Sequence, residues 1–94
     1  MIPKYRAPTH PGEMLLEKFL VPKRMTQVEL ARKLGVPIQR INTLVKGKRG
    51  VTAETAWLLA REFDTTPEFW MNLQASWDLY RAGKELGLVA VPAR

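Results

Sequence analysis

The stretch that decides the fold is residues 26–47, which reads TQVELARKLGVPIQRINTLVKG. It opens with a capping box, in which the Thr26 hydroxyl and the Glu29 carboxylate each pair with a backbone N–H that a helix start leaves free. Gly35 is suited to the left-handed conformation that ends a helix. Pro37 then suits the first position of a second helix, because it has no N–H to leave unpaired. The stretch therefore predicts two short helices joined by one tight turn.

The apolar residues of this stretch fall at the spacing that such a pair of helices needs. Leu30, Ala31 and Leu34 form one buried stripe on the first helix. The apolar face of the second helix consists of Ile38, Ile41, Leu44 and Val45, and Gly47 ends it. Because so many positions agree, residues 26–47 are identified as a helix-turn-helix with much more specificity than a lone glycine-rich loop would allow.

Outside this stretch, the sequence predicts three more helices. The first begins at His10 and Pro11 and stops at Pro22. The fourth is capped by Thr52, and the fifth begins at Thr66 and covers about residues 67–85. A chain of 94 residues is long enough for one modest core and too short for two. We therefore expect a single all-α domain, residues 1–94, built as a five-helix bundle.

Positive charge is concentrated in the first half of the chain. Residues 1–50 contain 11 Lys and Arg against 3 Glu, or +8, whereas residues 51–94 contain 4 against 6 acidic residues, or −2. Between Lys23 and Arg49, basic residues are opposed only by Glu29. A basic balance can simply keep a small protein soluble, but this concentration favours a polyanionic partner.

The second helix of the motif leaves a polar face uncovered. At about 100° per residue, Gln39, Thr43 and Lys46 point away from the apolar stripe, with Asn42 beside them and Arg40 at the margin. Glutamine can pair bidentately with adenine, and threonine offers a hydroxyl and a methyl to thymine. A polar stripe on a short helix is usually only solvated. In a helix-turn-helix next to a basic loop, it indicates contact with double-stranded DNA.

Further candidate contacts flank this face. Lys48 and Arg49 suit phosphate contacts that orient the protein without specifying sequence. Thr26 and Gln27 stand at a helix start whose free N–H groups attract phosphate, although capping also explains Thr26. Ile38 either extends the core or meets a thymine methyl. The predicted DNA-binding residues are Thr26, Gln27, Ile38, Gln39, Arg40, Asn42, Thr43, Lys46, Lys48 and Arg49.

The fifth predicted helix is apolar nearly all round, which predicts a homodimer. Such a helix needs more cover than one small core provides, and two motifs about 34 Å apart would recognise a palindromic operator. The predicted dimer interface is Trp70, Leu73, Trp77 and Tyr80. The alternative is that all of these side chains belong to the core of one protomer.

The sequence offers no catalytic or metal-binding constellation. It has no Cys and one His, and its carboxylates are scattered singly. His10 precedes Pro11 at a helix start, where capping or packing explains it better than proton transfer. We therefore expect no enzyme activity, no catalytic residue, no metal and no cofactor. A basic ribonuclease would need strands, and an RNA-binding module would interleave aromatic with basic residues; neither pattern is present.

The cellular location is predicted from the lack of a membrane-spanning stretch and the lack of cysteine. No stretch approaches the roughly 18 consecutive apolar residues of a membrane span, and the lack of Cys fits a reducing compartment. We therefore expect a cytoplasmic protein without a membrane partner.

Motifs along residues 8–80 carry a family resemblance. They are His10-Pro11-Gly12-Glu13, Thr26-Gln27-x-Glu29-Leu30-Ala31, Arg40-Ile41-Asn42, Gly47-Lys48-Arg49 and Pro67-Glu68-Phe69-Trp70-x-Asn72-Leu73-Gln74. Together they resemble the HigA antitoxins, which belong to the Xre group of phage-repressor-like helix-turn-helix proteins. The resemblance implies an antidote that dimerises, represses its own operon and neutralises a HigB-type toxin, an mRNA-cleaving ribonuclease. The alternative is a stand-alone Xre-type repressor with no toxin partner.

Neither DNA binding nor dimerisation requires two segments of the chain, and we expect a protein partner to order them. They are the arm Met1 to Thr9 and the apolar tail Leu86 to Val91. A basic toxin would be repelled by residues 23–49, so the acidic half of the chain is the better docking surface. That surface comprises Glu54, Glu62, Asp64, Glu68, Asp78 and Glu85. The complex with toxin should therefore still bind DNA.

Overall fold

The computed structural model describes residues 7–89, which form five helices. Helix α1 has an α-helical turn Pro11–Met14, a π-helical segment Leu15–Leu20 and an α-helical end Val21–Lys23. The others are α2 Gln27–Leu34, α3 Ile38–Val45, α4 Ala53–Phe63 and α5 Pro67–Glu85. The prediction of an all-α, five-helix bundle is confirmed. Within the described range, no helix is both long and apolar enough to cross a membrane.

The predicted helix caps are present. The Thr26 hydroxyl accepts from the Glu29 N–H at 3.0 Å, and the Glu29 carboxylate accepts from the Thr26 N–H at 3.1 Å. The hydroxyls of Thr52 and Thr66 cap α4 and α5 by accepting from the N–H groups of Thr55 and Phe69. Pro37 differs slightly from the prediction, because it is the extended residue before α3 rather than its first helical residue.

Helix α1 continues through the proline that was predicted to stop it. A proline inside a helix lacks a donor, and its ring clashes with the carbonyl four residues earlier. Here a π-helical turn directly precedes Pro22, and the Val21 N–H donates to the Leu16 carbonyl, five residues back. The wider turn accommodates the ring, so α1 ends only at Lys23, where Arg24 takes a left-handed conformation with φ 52°.

One hydrophobic core joins all five helices. Its largest fully buried side chains are Leu15, Leu20, Leu30, Ile41, Leu44, Leu59 and Trp70. An aromatic cluster extends it, in which the Phe19 ring lies 4.9 Å from that of Phe63 and 5.1 Å from that of Trp70. The core thus uses the predicted stripes of α2, α3 and α4.

The structure corrects the predicted dimer stripe on α5. Trp70 is 0% exposed, and its indole N–H donates to the Thr65 hydroxyl at 2.8 Å; Tyr80 is only 8% exposed. Neither side chain has surface to offer a second protomer, so the intramolecular alternative is right for both. Helical periodicity showed an apolar face, but only the packed bundle shows that the chain covers it. Leu73 and Trp77 are half-buried in the same layer.

After α5 the chain turns back on the helix. The Leu88 N–H donates to the Gly83 carbonyl at 2.8 Å, and the Val89 side chain lies over Gly83. Of the arm and the tail singled out in the sequence, residues 1–6 and 90–91 lie outside the described range.

Candidate nucleic-acid interface

Helices α2 and α3 are joined by a closely hydrogen-bonded turn. Gly35 has φ 70°, which lets the Val36 N–H donate back to the Ala31 carbonyl at 3.0 Å. A non-glycine residue with this φ is strained. Ile41 and Leu44 then bury one face of α3 completely against the core. The opposite face of α3 is thereby presented to solvent in one fixed orientation.

That solvent face carries the side chains predicted to contact base edges. Gln39 and Lys46 are exposed, and Asn42 and Thr43 are half-buried. The Thr43 hydroxyl donates to the Gln39 carbonyl at 2.6 Å, within the helix. Its proton is therefore used, and its oxygen is left to accept a hydrogen bond. In this rotamer Thr43 offers DNA an acceptor and a methyl group. The sequence had also allowed its hydroxyl to donate a hydrogen bond to a base, and that donor is used within the helix.

Arg40 is held at the edge of this face by Glu54, which the sequence placed in the acidic half of the chain but did not connect with Arg40. Its guanidinium donates to the Glu54 carboxylate of α4 at 2.9 Å. The Arg40 side chain is half-buried and that of Glu54 is largely exposed. The ion pair orients Arg40 and reduces its net charge toward DNA. No local signal could have revealed it, because the two residues are 14 positions apart in the chain.

A basic loop closes the carboxyl end of α3. The backbone N–H groups of Lys48 and Arg49 both donate to the Thr43 carbonyl, at 2.9 and 3.2 Å. Both side chains are exposed. This loop is anchored from the other side by Gln74 of α5, whose side chain accepts from the Val51 N–H at 2.7 Å. Two cationic side chains are thus presented from a fixed backbone beside α3.

Thr26 and Gln27 lie at the other end of the motif, at the start of α2. Thr26 is exposed and Gln27 is half-buried. The Thr26 backbone N–H donates to the Glu29 carboxylate and lowers its pKa, so this carboxylate stays charged at neutral pH. The Thr26 hydroxyl accepts within the capping box and still has its own proton to donate. Capping and a phosphate contact are therefore compatible at this residue.

Ile38, the ambiguous member of the set, packs against the core. It is half-buried at the start of α3 and contacts the buried cluster. The first of its two predicted roles is therefore present in the structure.

Gly12 of α1 contacts the buried side of α3, and His10 caps α1 directly before it; the sequence indicated these residues only as a helix-start motif. Gly12 is buried where α1 crosses the end of α3, and a Cβ at this position would overlap the Leu44 carbonyl oxygen. His10 Nδ1 accepts from the Gly12 N–H at 2.9 Å, and its ring lies 5.1 Å from that of Trp77. His10 therefore caps and packs, as predicted. Burial lowers its pKa, an effect that the carboxylates of Asp78 and Glu13 partly offset.

Trp57 on α4 is a further surface residue that was not predicted from the sequence. It is 66% exposed, between the clefts that α4 and α5 form on the surface. The signal available was its position: it follows Ala56 and falls outside the stripe of Ala56, Leu59, Ala60 and Phe63.

The family model for helix-turn-helix proteins matches residues 16–70, which run from within α1 through α2, α3 and α4 to the first turn of α5. The match is more than half of the 94-residue chain.

Individual relatives match along most of their length. The chain is 40% identical over 94 residues to the HTH-type transcriptional regulator YbaQ of Escherichia coli (strain K12), covering 94% of this chain and 83% of that protein. It is 42% identical over 76 residues to antitoxin HigA-1 of Vibrio cholerae, and the match covers 80% of this chain and 70% of that protein. The structure resembles that of Pseudomonas aeruginosa antitoxin HigA with the higBA promoter, with a TM-score of 0.83 and 41% sequence identity. The superposition covers 85% of this chain and 87% of the HigA chain. The chain therefore belongs to the HigA antitoxin family of helix-turn-helix proteins.

Proposed function

We propose that the protein is a sequence-specific DNA-binding antitoxin that represses its own operon and neutralises a HigB-type ribonuclease toxin. The observation that carries the DNA-binding part is the uncovered polar face of α3, fixed by the burial of Ile41 and Leu44 and continued by the basic loop. The similar HigA structure with its promoter supports the same assignment.

In this proposal α3 lies in the major groove of a palindromic operator, and one α3 of a homodimer occupies each half-site. Gln39, Asn42 and Thr43 contact base edges and carry the specificity. Lys46, Lys48 and Arg49 contact phosphates beyond the end of α3, and the start of α2 contacts the backbone on its other side. A dimer bound in this way occupies promoter DNA that the transcription machinery needs, so it represses by exclusion.

The toxin would bind away from α3, on the acidic half of the chain. Three of the six acidic side chains there have partners within the protomer: Glu54 pairs with Arg40, Glu62 lies 3.7 Å from Lys33, and Asp78 accepts a hydrogen bond from the Gln74 side-chain amide at 2.9 Å. Asp64, Glu68 and Glu85 are exposed and offer negative charge to a basic partner. The protein acts by binding rather than by catalysis, and it works in the cytoplasm, where both its operon and the mRNA substrate of such a toxin are found.

Selection from random-sequence duplex DNA tests the first part. We expect the purified protein to enrich one palindromic sequence and to bind it at least 10³-fold more tightly than unselected duplex at physiological salt. Recovery of no common sequence, or equal affinity for both duplexes, would contradict sequence-specific binding.

Co-expression with the product of the adjacent small open reading frame tests the second part. We expect that product to inhibit growth alone, to be harmless with this protein, and to co-purify with it. If the neighbour neither inhibits growth nor co-purifies, the antitoxin proposal fails and a stand-alone repressor remains.

A further inference from the structure

The Gln74 side chain of α5 joins the basic loop to a carboxylate on its own helix. Its oxygen accepts from the Val51 N–H at 2.7 Å, 23 positions away in the chain and just before α4 begins. Its nitrogen donates to the Asp78 carboxylate at 2.9 Å, about one turn further along α5. Each end of the Gln74 carboxamide therefore has a partner, and one of these partners belongs to the loop.

These two partners allow the Gln74 carboxamide only one orientation. A backbone N–H can only donate a hydrogen bond, and an ionised carboxylate can only accept one. If the carboxamide were turned over, its oxygen would face Asp78 and its nitrogen would face the Val51 N–H, so that both hydrogen bonds would be lost. Asp78 therefore determines which atom of Gln74 faces the loop.

Gly50 leaves the space that the Gln74 carboxamide occupies. A Cβ at Gly50 would come within 2.8 Å of the side-chain carbon, nitrogen and oxygen of Gln74, which are its three nearest atoms. Gly50 is not among the glycines with a positive φ, so its backbone conformation does not itself call for glycine. The absence of a side chain at Gly50 is explained by the room that Gln74 needs.

The loop fixed in this way carries two of the cationic side chains that face DNA. Lys48 and Arg49 are exposed, and their backbone N–H groups donate to the Thr43 carbonyl of α3. The loop is therefore attached to α3 at one end and to α5 at the other. A loop that already has its binding conformation avoids the entropy loss of being ordered when it meets its partner, so its contacts contribute more to affinity.

We propose that Gln74, oriented by Asp78, is a positioning residue for DNA binding, which holds the basic loop so that Lys48 and Arg49 meet the phosphate backbone without rearrangement. The inference rests on the proposed function, since it adds to the DNA surface assigned there a residue that acts through Val51.

Amide hydrogen exchange of the free protein, followed by NMR, tests the attachment of the loop. We expect Gln74→Ala to raise the exchange rate of the Val51 amide by about tenfold or more, because local opening of the loop then exposes this N–H to water. The amide of Leu59, in the core of α4, should exchange at its wild-type rate. Ser76→Ala, at an exposed position of α5, is the matched control and should change neither rate. An unchanged Val51 rate in Gln74→Ala would overturn the proposal.

Fluorescence anisotropy tests the consequence for DNA. Gln74→Ala should weaken binding about tenfold on the selected operator and on random duplex alike, because the loop must then be ordered on binding. The salt dependence should keep its wild-type slope, since the variant retains Lys48 and Arg49. Wild-type affinity on both duplexes, or a loss confined to the operator, would overturn the proposal.

Two variants of Asp78 test the orientation of the carboxamide with the charge kept equal. Asp78→Ala and Asp78→Asn both remove one negative charge, but only asparagine retains an oxygen that can accept from the Gln74 amide. We expect the exchange rate of the Val51 amide to rise in Asp78→Ala and to stay at the wild-type value in Asp78→Asn. Equal rates in the two variants would show that Asp78 does not orient Gln74.

Gly50→Ala tests the fit between the loop and the carboxamide. The added carbon meets only the end of a flexible side chain, so the variant should fold with Gln74 displaced. It should weaken DNA binding about as much as Gln74→Ala does. Combining the two substitutions should weaken binding no further, because an alanine at position 74 leaves room for the added carbon. Additive losses in the double variant would contradict the proposal.

The outcome is separable from that of the operator selection. If the wild-type protein shows no sequence preference but Gln74→Ala weakens its binding to every duplex by the same factor, sequence-specific repression fails and the positioning role stands. If the wild-type protein selects an operator and Gln74→Ala binds it equally tightly, the proposed function stands and the positioning role is wrong.

Discussion

Gly12 packs directly against the backbone carbonyl of Leu44, so that α1 and α3 meet with no side chain between them. This contact brings the first helix against the carboxyl end of the helix that carries the polar face. It lies opposite the solvent side of α3 and does not take part in any DNA contact itself. The orientation of α3 therefore depends on a residue that precedes the helix-turn-helix by 14 positions in the sequence.

We predict that Gly12→Ala destabilises the fold by about 3 kcal/mol, because a methyl group would overlap backbone that cannot rotate away. The measurement is urea unfolding followed by far-UV circular dichroism. Gly35→Ala is the matched control: its φ is 70° but nothing lies within 4 Å of the added carbon, so it should cost only about 1–2 kcal/mol for the left-handed conformation. A Gly12→Ala protein at least as stable as Gly35→Ala would show that the close approach is not needed.

Stability should fall as the pH is lowered below 6.5, because His10 has a lowered pKa in the folded state. Burial is the main cause, and Arg81 adds to it, while Asp78 and Glu13 oppose it. Above 6.5 both states hold a neutral imidazole. Between 6.5 and the lowered folded pKa, the unfolded state binds the proton and the folded state does not, so stability is lost through that window.

Urea unfolding at pH values from about 8 to 5 measures this dependence. His10→Asn is the control, since asparagine also caps helix starts and does not titrate there. We expect the variant to be less stable at pH 7, where it lacks the ring contact with Trp77, but to show a flatter profile. An unchanged pH slope in His10→Asn would assign the dependence to other groups.

Base contacts and phosphate contacts should separate in a pair of substitutions. We predict that Gln39→Ala weakens binding to the selected operator by about 1–3 kcal/mol and hardly affects random duplex. Lys48→Ala should weaken binding to both alike, because its exposed ammonium sits on the basic loop rather than on the face of α3. Fluorescence anisotropy measures the four dissociation constants, one for each of the two variants on the selected operator and on random duplex. The opposite pattern would exchange the two assignments.

Operator binding should depend steeply on salt. If the dimer neutralises about six to ten phosphates, log K falls against log salt concentration with a slope of roughly −5 to −9. In Lys48→Ala the slope should be shallower by about two, one for each protomer. The measurement is a titration between about 50 and 200 mM salt. A slope near zero for the wild-type protein would be incompatible with binding through its basic half.

The sequence alone was sufficient for features that involve neighbouring residues. The Thr26–Glu29 capping box, the left-handed Gly35 and the caps of α4 and α5 were predicted and are present. Each of them depends on groups within a few positions of one another, so a local pattern contains all of the interaction. The polar face of α3 could be predicted for the same reason, because helical periodicity places its side chains once the helix is known.

Only the tertiary structure decided which apolar faces the chain covers itself. Trp70 was predicted from helical periodicity to face a second protomer, yet it is completely buried within its own. The Arg40–Glu54 ion pair and the contact of Gly12 with Leu44 likewise join residues far apart in the chain. Periodicity describes one helix at a time, whereas burial is set by the relative positions of several helices. What the sequence determined about this protein is therefore its helices and their polar and apolar faces, and what packing decided is which of those faces remain free for DNA and for a partner.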